Sequence, residues 1–151
     1  MKIGILSDTH GLLRPEVLSS LSGCDLILHG GDINRQSVLD ELEKLAPVKV
    51  VRGNNDKDWA AGIPQALDFT VEELRVYMTH KKKDLPADLS PYDLVILGHT
   101  HKYSDSRIGD ARILNPGCCG SRRVDQPITF AVAVVNGRQL DIRRIEIPHT
   151  K

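Results

Sequence analysis

The sequence predicts an α/β protein, a four-layer αββα sandwich in which two mixed β-sheets are flanked by helices. Three observations carry this expectation. The first half alternates short apolar runs with amphipathic helical stretches, a βαβαβ pattern. The second half turns into closely spaced strand-like runs. Asn136-Gly137 marks a hairpin between the last two of them. A chain that opens with parallel units and closes as a meander suits two packed sheets, with a plain doubly wound sheet as the alternative.

In chain order, Ile3-Gly4-Ile5-Leu6 reads as a buried strand, followed by a helix over Arg14 to Ser22 with Val17, Leu18 and Leu21 on one face. Pro15 suits its first turn. Leu26-Ile27-Leu28 is the second strand. Gln36 to Leu45 forms the second helix, with Val38, Leu39, Leu42 and Leu45 inward and Pro47 as the stop signal. Val48-Lys49-Val50-Val51 is the third strand, and Trp59 to Gln65, with Gly62 and Pro64, reads as a surface loop over the strand ends. Strands are then expected at Phe69 to Val71, Leu74 to Thr79, Leu94 to Leu97, Ala111 to Leu114, Ile128 to Val135 and Gln139 to Ile147. Repeats, low-complexity segments and an interdomain linker are not evident. At 151 residues the chain suits one domain spanning residues 1–151.

Charge and cysteine content narrow the function. The 20 basic and 20 acidic residues cancel, which removes the broad cationic field that nucleic acids or anionic membranes attract. Phosphate affinity must therefore be local. The first residues run straight into a strand, and no apolar stretch approaches about 18 residues, so a cytoplasmic protein is expected. Cys24, Cys118 and Cys119 have no CxxC spacing, so neither a disulfide framework nor a zinc ribbon is supported. The Cys118-Cys119 pair reads as packing in a tight loop, with a nucleophile as the alternative.

Four blocks that follow apolar runs end in metal-ligand residues: Asp8-Thr9-His10, Gly30-Gly31-Asp32, Gly53-Asn54-Asn55-Asp56 and Gly98-His99-Thr100-His101. A fifth run ends in His80. In open α/β sheets, functional groups gather beyond the carboxyl ends of the strands, where these blocks fall. Each block alone is an ordinary turn, but four of the six histidines fall at or just after the ends of apolar runs. Two carboxylates, one amide oxygen and four imidazoles give each of two ions four ligands if one aspartate bridges. Asp32, central in the order and on a Gly-Gly loop, is the best bridge. The mixed nitrogen and oxygen set suits two divalent transition-metal ions, manganese foremost, with nickel, zinc, iron or cobalt as further candidates. With neutral histidines and a bridging hydroxide the centre keeps a net charge of about +1 and attracts anions. Two metals about 3.5–4 Å apart suit a phosphoryl group.

The ordered set Asp8-x-His10, Gly31-Asp32, Gly53-Asn54, His80 and Gly98-His99-x-His101 resembles the calcineurin-like metallophosphoesterase superfamily. The opening Met1 to Gly11, the Val51-Arg52-Gly53-Asn54 segment and the Asn115-Pro116-Gly117 loop are similar to its compact YfcE-type phosphodiesterases. The resemblance implies the same αββα sandwich. It assigns Asp8, His10, Asp32 and His101 to one metal and Asp32, Asn54, His80 and His99 to the other, with Asp32, Asn54 and His99 as catalytic residues. The implied reaction is hydrolysis of a phosphoester, most of all a diester, by a metal-bridging hydroxide. Arg52 and Asn34, beside the ligand loops, are candidates for touching phosphate oxygens, with loop solvation as the alternative.

Two departures from the wider family matter. Many members have Gly-Asn-His, whose histidine protonates the leaving group, but this chain has Asn55, which has no useful proton to give near neutral pH. The compact members commonly lack that histidine too. The family also continues its fifth block as His-Gly-His, whereas His80 is followed by Lys81, Lys82 and Lys83. That run reads as a solvated turn, with substrate steering as the alternative. His29 could orient a ligand from behind or sit as a satisfied buried histidine. His149 reads as tail.

The partner expected is a small phosphorylated or phosphodiester substrate, not a membrane, with oligomerisation left open. The rival function is a scaffold, because the retromer small subunit resembles this compact fold and serves mainly as a protein-binding module. A nuclease is disfavoured by zero net charge and 4% aromatic content.

Overall fold

The computed structural model describes residues 1–120 and 126–148, so His149 lies outside the described residues. Among the described residues ten strands form two five-stranded mixed sheets. The first has the order β10-β9-β1-β2-β3, from Lys2–Leu6 (β1), Leu26–His29 (β2), Val48–Val50 (β3), Ile128–Asn136 (β9) and Gln139–Ile147 (β10). The second has the order β4-β5-β6-β8-β7, from Ala66–Val71 (β4), Leu74–Thr79 (β5), Leu94–Ile96 (β6), Tyr103–Ile108 (β7) and Ala111–Pro116 (β8). The first sheet has its parallel strands β1-β2-β3 at one side and the antiparallel β9 and β10 at the other, whereas the second has a parallel centre, β5-β6-β8, with antiparallel strands at both margins.

The apolar runs are continuous because the central strands are buried on both faces. Ile3, Ile5, Leu26 and Leu28 point into the core between the sheets, where they meet Val76, Met78, Leu94 and Ile96. The alternate residues Leu6 and Ile27 face α1 (Pro15–Leu21) and α2 (Gln36–Glu43), against Val17, Leu21, Val38, Leu39 and Leu42. On the far side of the second sheet, Val95, Leu97, Ala111 and Ile113 pack under Leu85, Leu89 and Tyr92. That outer layer is an irregular segment opened by a 3-10 turn at Lys82–Asp84 rather than an α-helix. The two helices end sooner than the periodicity predicts, at Leu21 and Glu43.

Three local features were harder to read. β7 went unpredicted because Tyr-Ser-Asp-Ser-Arg-Ile is largely exposed and has no apolar alternation; its identity comes from pairing along the edge with β8. The expected loop after Trp59 contains a 3-10 turn, Asp58–Ala60, and β4 starts at Ala66. The last hairpin turns on Gly137-Arg138, since Asn136 pairs with Gln139; a glycine with φ 61° followed by a residue with negative φ suits a type II′ turn.

Helix α1 presses hard on β1. A Cβ at Gly4 would collide with Leu21 Cδ2, so the glycine is what lets Leu21 reach the sheet. We expect Gly4→Ala to destabilise the fold by about 1–3 kcal/mol through overpacking. Urea unfolding checks this, and in a Leu21→Ala background the same change should cost nothing or stabilise; equal costs in both backgrounds would refute the contact.

Candidate metal centre

The parallel strands of both sheets end at one place, and the segments that leave them carry the donors. Asp8 and His10 follow β1, Asp32 follows β2, and Asn54 follows β3 by a short step. From the other sheet, His80 follows β5, and His99 and His101 follow β6. Two overlapping groups result: Asp8, His10, Asp32 and His101, and Asp32, His80 and His99, each with its donor atoms within 4.8 Å of one another. Asn54 Oδ1 lies 3.2 Å from His99 Nδ1 and so adjoins the second group. All seven predicted ligands are therefore brought together.

The backbone is held in uncommon conformations to achieve this. Among the described residues seven non-glycine residues have left-handed φ, and five of them are predicted ligands: Asp8, His10, Asp32, His99 and His101. Such conformations are costly for residues with a Cβ and persist where surrounding structure imposes them. The imposing contacts are visible: the Asp8, His10 and Gly11 amides donate to the carbonyls of Gly31, Asp32 and Ile33 at 2.9, 3.0 and 2.8 Å, zipping the first ligand loop to the second. Gly53 and Gly98 serve by close approach. A Cβ at Gly53 would overlap Asp32 Oδ1, and one at Gly98 would overlap Ser7 Oγ.

Side-chain contacts aim the donors. Ser7 Oγ and the His99 amide donate to Asp8 Oδ2 at 2.7 and 3.1 Å, leaving Oδ1 directed at His101, His10 and His80, whose Nε2 atoms are 3.3, 3.7 and 3.8 Å away. His80 Nδ1 donates to the Gly30 carbonyl at 2.7 Å, which fixes the tautomer and turns the Nε2 lone pair toward Asp32 Oδ2 at 3.2 Å. His10 and His101 Nε2 atoms are 3.1 Å apart. Ligand atoms about 2.1 Å from one ion lie roughly 3.0–3.4 Å apart, so the 3.1, 3.2 and 3.3 Å spacings match edges of a coordination shell. Among the described residues Asp8 Oδ1 and His80 Nε2, both buried, have no aligned hydrogen-bond partner. Buried polar atoms in that state, aimed at one point, fit a cation.

Electrostatics agrees. Burial works against the charged form of Asp8, yet His10, His101, His80 and Ser7 outweigh it and hold its carboxyl well below the usual range. Asp32 behaves alike, burial being overcome by His80 and the Asn55 amide. The Asp8 carboxylate raises the pKa of His10, and for His80 burial is outweighed by Asp32 and Asp8, so it too lies above its ordinary value. His99 is shifted down, by burial and then by His80 and Lys81. The cluster holds negative charge that a cation would neutralise better than shared protons do.

Residues behind the donors complete the site. His29 accepts from the Gly31 amide at Nδ1 (3.1 Å), so its Nε2–H donates to Thr9 Oγ1 (3.0 Å); full burial drives its pKa down to about 4, and it is a satisfied core histidine. Cys118 and Cys119 are buried, with Sγ atoms donating to the carbonyls of Asp8 and Ser7, and burial pushes the Cys119 thiol up, which favours packing over nucleophilic attack. Asn115 Nδ2 donates to Gly98 O and Thr100 Oγ1 at 2.9 and 3.0 Å, pinning the His99 loop. Arg52 lines a polar cavity of about 360 Å³ with Asn54, His80, Lys81 and Lys83. Asn34 is bound through its backbone to Asp56 and does not line that cavity.

Sequence reasoning missed two supports. Asp56 accepts from the amides of Ile33, Asn34 and Gly53 at 2.9, 2.8 and 2.9 Å, tying the Asp32 loop to the Asn54 loop. A third carboxylate inside a ligand block was the available signal. Asn55, read as the place of a missing acid, donates to both Asp32 oxygens, from its amide (2.9 Å) and from Nδ2 (3.2 Å).

Comparison with known proteins gives the same answer. Residues 1–138 match the calcineurin-like phosphoesterase superfamily domain. A probable metallophosphoesterase of Methanothermobacter thermautotrophicus is 34% identical over 155 residues, covering 93% of this chain and 90% of that protein. A phosphodiesterase of Methanocaldococcus jannaschii is 31% identical over 143 residues, covering 80% and 86%. Among solved structures, Vps29 of Entamoeba histolytica complexed with zinc superposes with a TM-score of 0.75 at 21% identity over 97% of this chain and 99% of that one, a likeness of fold.

Replacing Asp56 with Ala leaves three amides without their acceptor, and we expect a loss of about 3 kcal/mol or more. Denaturant unfolding measures it. Unchanged stability would show that the two loops hold each other by other means.

Proposed function

Because the chain belongs to the calcineurin-like phosphoesterase superfamily, we propose that it is a divalent-metal phosphodiesterase with a binuclear centre. The observation that supports this most directly is Asp32, whose carboxylate belongs to both donor groups. Asp8, His10, Asp32 and His101 would hold one ion, and Asp32, Asn54, His80 and His99 the other. The mixed imidazole, carboxylate and amide set favours manganese, with nickel, zinc, iron or cobalt also suited. When bound, the ions supply an attacking hydroxide near neutral pH and positive charge to offset the anionic transition state.

The chain's own residues set the rest. The fixed Nδ1–H of His80 presents Nε2 as the nitrogen that would ligate, and Ser7 and Asn55 hold the two carboxylates in place. Arg52 lines the polar cavity and would bind a phosphate oxygen there, and Lys81 and Lys83 add positive charge to the same lining. Asn55 cannot protonate a leaving group, and its amide is engaged with Asp32. An ester oxygen that leaves as a stable anion is therefore preferred. The scaffold reading draws on the likeness to Vps29, which concerns the fold alone; the complete donor set favours turnover. Among the described residues no helix is long and apolar enough to cross a membrane.

Calorimetric titration with manganese should give two ions per chain, and Asp32→Ala should lose both. One ion at saturation, or wild-type binding by the variant, would overturn the shared bridge. The pH dependence has a definite sign. His10 and His80 have raised pKa values, so protons compete with metal through and above about pH 6.5, and affinity must rise with pH and collapse on the acid side. Binding that strengthens on acidification would contradict these assignments.

Across diesters with leaving groups of graded pKa, aryl esters should turn over much faster than alkyl esters, with a steep dependence on acidity. A flat dependence with chemistry rate-limiting would mean that the protein has a proton donor, with Lys82 the first residue to replace.

A further inference from the structure

Beside His99 lies a second cavity of about 510 Å³, larger than the polar one and different in character. It is built on one face of the β7-β8 edge. Ser104, Ser106 and Ile108 alternate along β7 and all line it, and Ile113 and Asn115, registered opposite Ser106 and Ser104, line it from β8. The two serines are small, and this opens the space. Leu97 and Ile113, both buried, and the half-exposed Ile108 give it an apolar lining, while Lys81, Lys82 and Lys83 add cations. No carboxylate is among its described lining residues. The polar cavity, by contrast, includes Asp56 and Asp84.

The position matters as much as the lining. His99 and Gly98, from the ligand loop, line the cavity, so it adjoins the donor cluster at His99, and Lys81 and Lys83 line both cavities. A phosphodiester whose phosphate sits on the donors has two ester substituents to accommodate. A volume of this size is typical of small-molecule sites and exceeds what phosphate needs. Acidic alcohols, which the lack of an acid at Asn55 favours, are chiefly aromatic. A flat ring passing His99 would leave water for Leu97, Ile108 and Ile113, with lysine ammonium groups beside its oxygen. We propose that this cavity is the subsite for an aromatic ester substituent of the substrate, an assignment that rests on the phosphodiesterase reading above.

The test uses two phosphonates that cannot be hydrolysed and share the same anionic head, phenylphosphonate and methylphosphonate. Each is titrated calorimetrically into the manganese-loaded protein. The phenyl compound should bind about tenfold more tightly, the gain expected from partial burial of a ring. Ser106→Trp, which fills the cavity, and Ile108→Ser, which removes apolar lining, should erase that preference while leaving methylphosphonate affinity unchanged. The unchanged affinity also reports that both variants are folded and loaded. Equal binding of the two ligands by the wild type, or a preference that survives both variants, overturns the subsite and leaves the metal centre standing. If neither phosphonate binds the loaded protein, the phosphoesterase reading fails and the subsite falls with it.

Discussion

Two buried carboxylates, Asp8 and Asp32, sit within reach of the same imidazoles at the meeting of the two sheets. Like charges this close in a low-dielectric interior repel strongly unless each is matched by donors or cations. Much of the surrounding structure answers that demand. Ser7, the His99 amide and Asn55 each donate hydrogen bonds to them, and His10, His80 and His101 face Asp8 Oδ1, with His80 also 3.2 Å from Asp32 Oδ2. Asp56, one layer back, binds the loop amides that would otherwise turn elsewhere. A site of this kind is tolerated because the rest of the fold is made of rigid strands buried on both faces.

The strain at the ligand loops follows from the same demand. Straight continuation of β1 or β6 would leave Asp8 and His10, or His99 and His101, side by side on one face, roughly 6.6 Å apart and parallel. Left-handed turns at these four residues fold the chain back on itself and let the donors converge, with His10 Nε2 3.7 Å from Asp8 Oδ1. The cost is met by backbone ladders between loops and by glycines at the points of closest approach.

Much of this was legible in the sequence because it depends on local residue type. Central strands announce themselves as apolar runs, and the donors stand directly after them, so fold class and ligand set emerge together. The unreadable parts depend on tertiary pairing. β7 has no pattern of its own and borrows its conformation from β8. The layer formed by Leu85, Leu89 and Tyr92 is apolar without helical spacing, so nothing local says that it covers a sheet. Asp56 resembles any loop aspartate until its three amide partners, two of them more than twenty residues away in the chain, are known.

The pairing of β1 with both β2 and β9 has a consequence for how the molecule is assembled. Ile3 pairs with Leu26 on one side and with Ala133 on the other. Contacts spanning so much of the chain form late and slowly, because the loop must close before the contact rewards it. The first aspartate therefore belongs to a strand whose second neighbour comes from the far end of the sequence, and the donors from the second sheet are drawn from residues 80 to 101. Every donor thus precedes β9 in the chain, and the strand that leads into Asp8 gains its second neighbour only after all of them have been made.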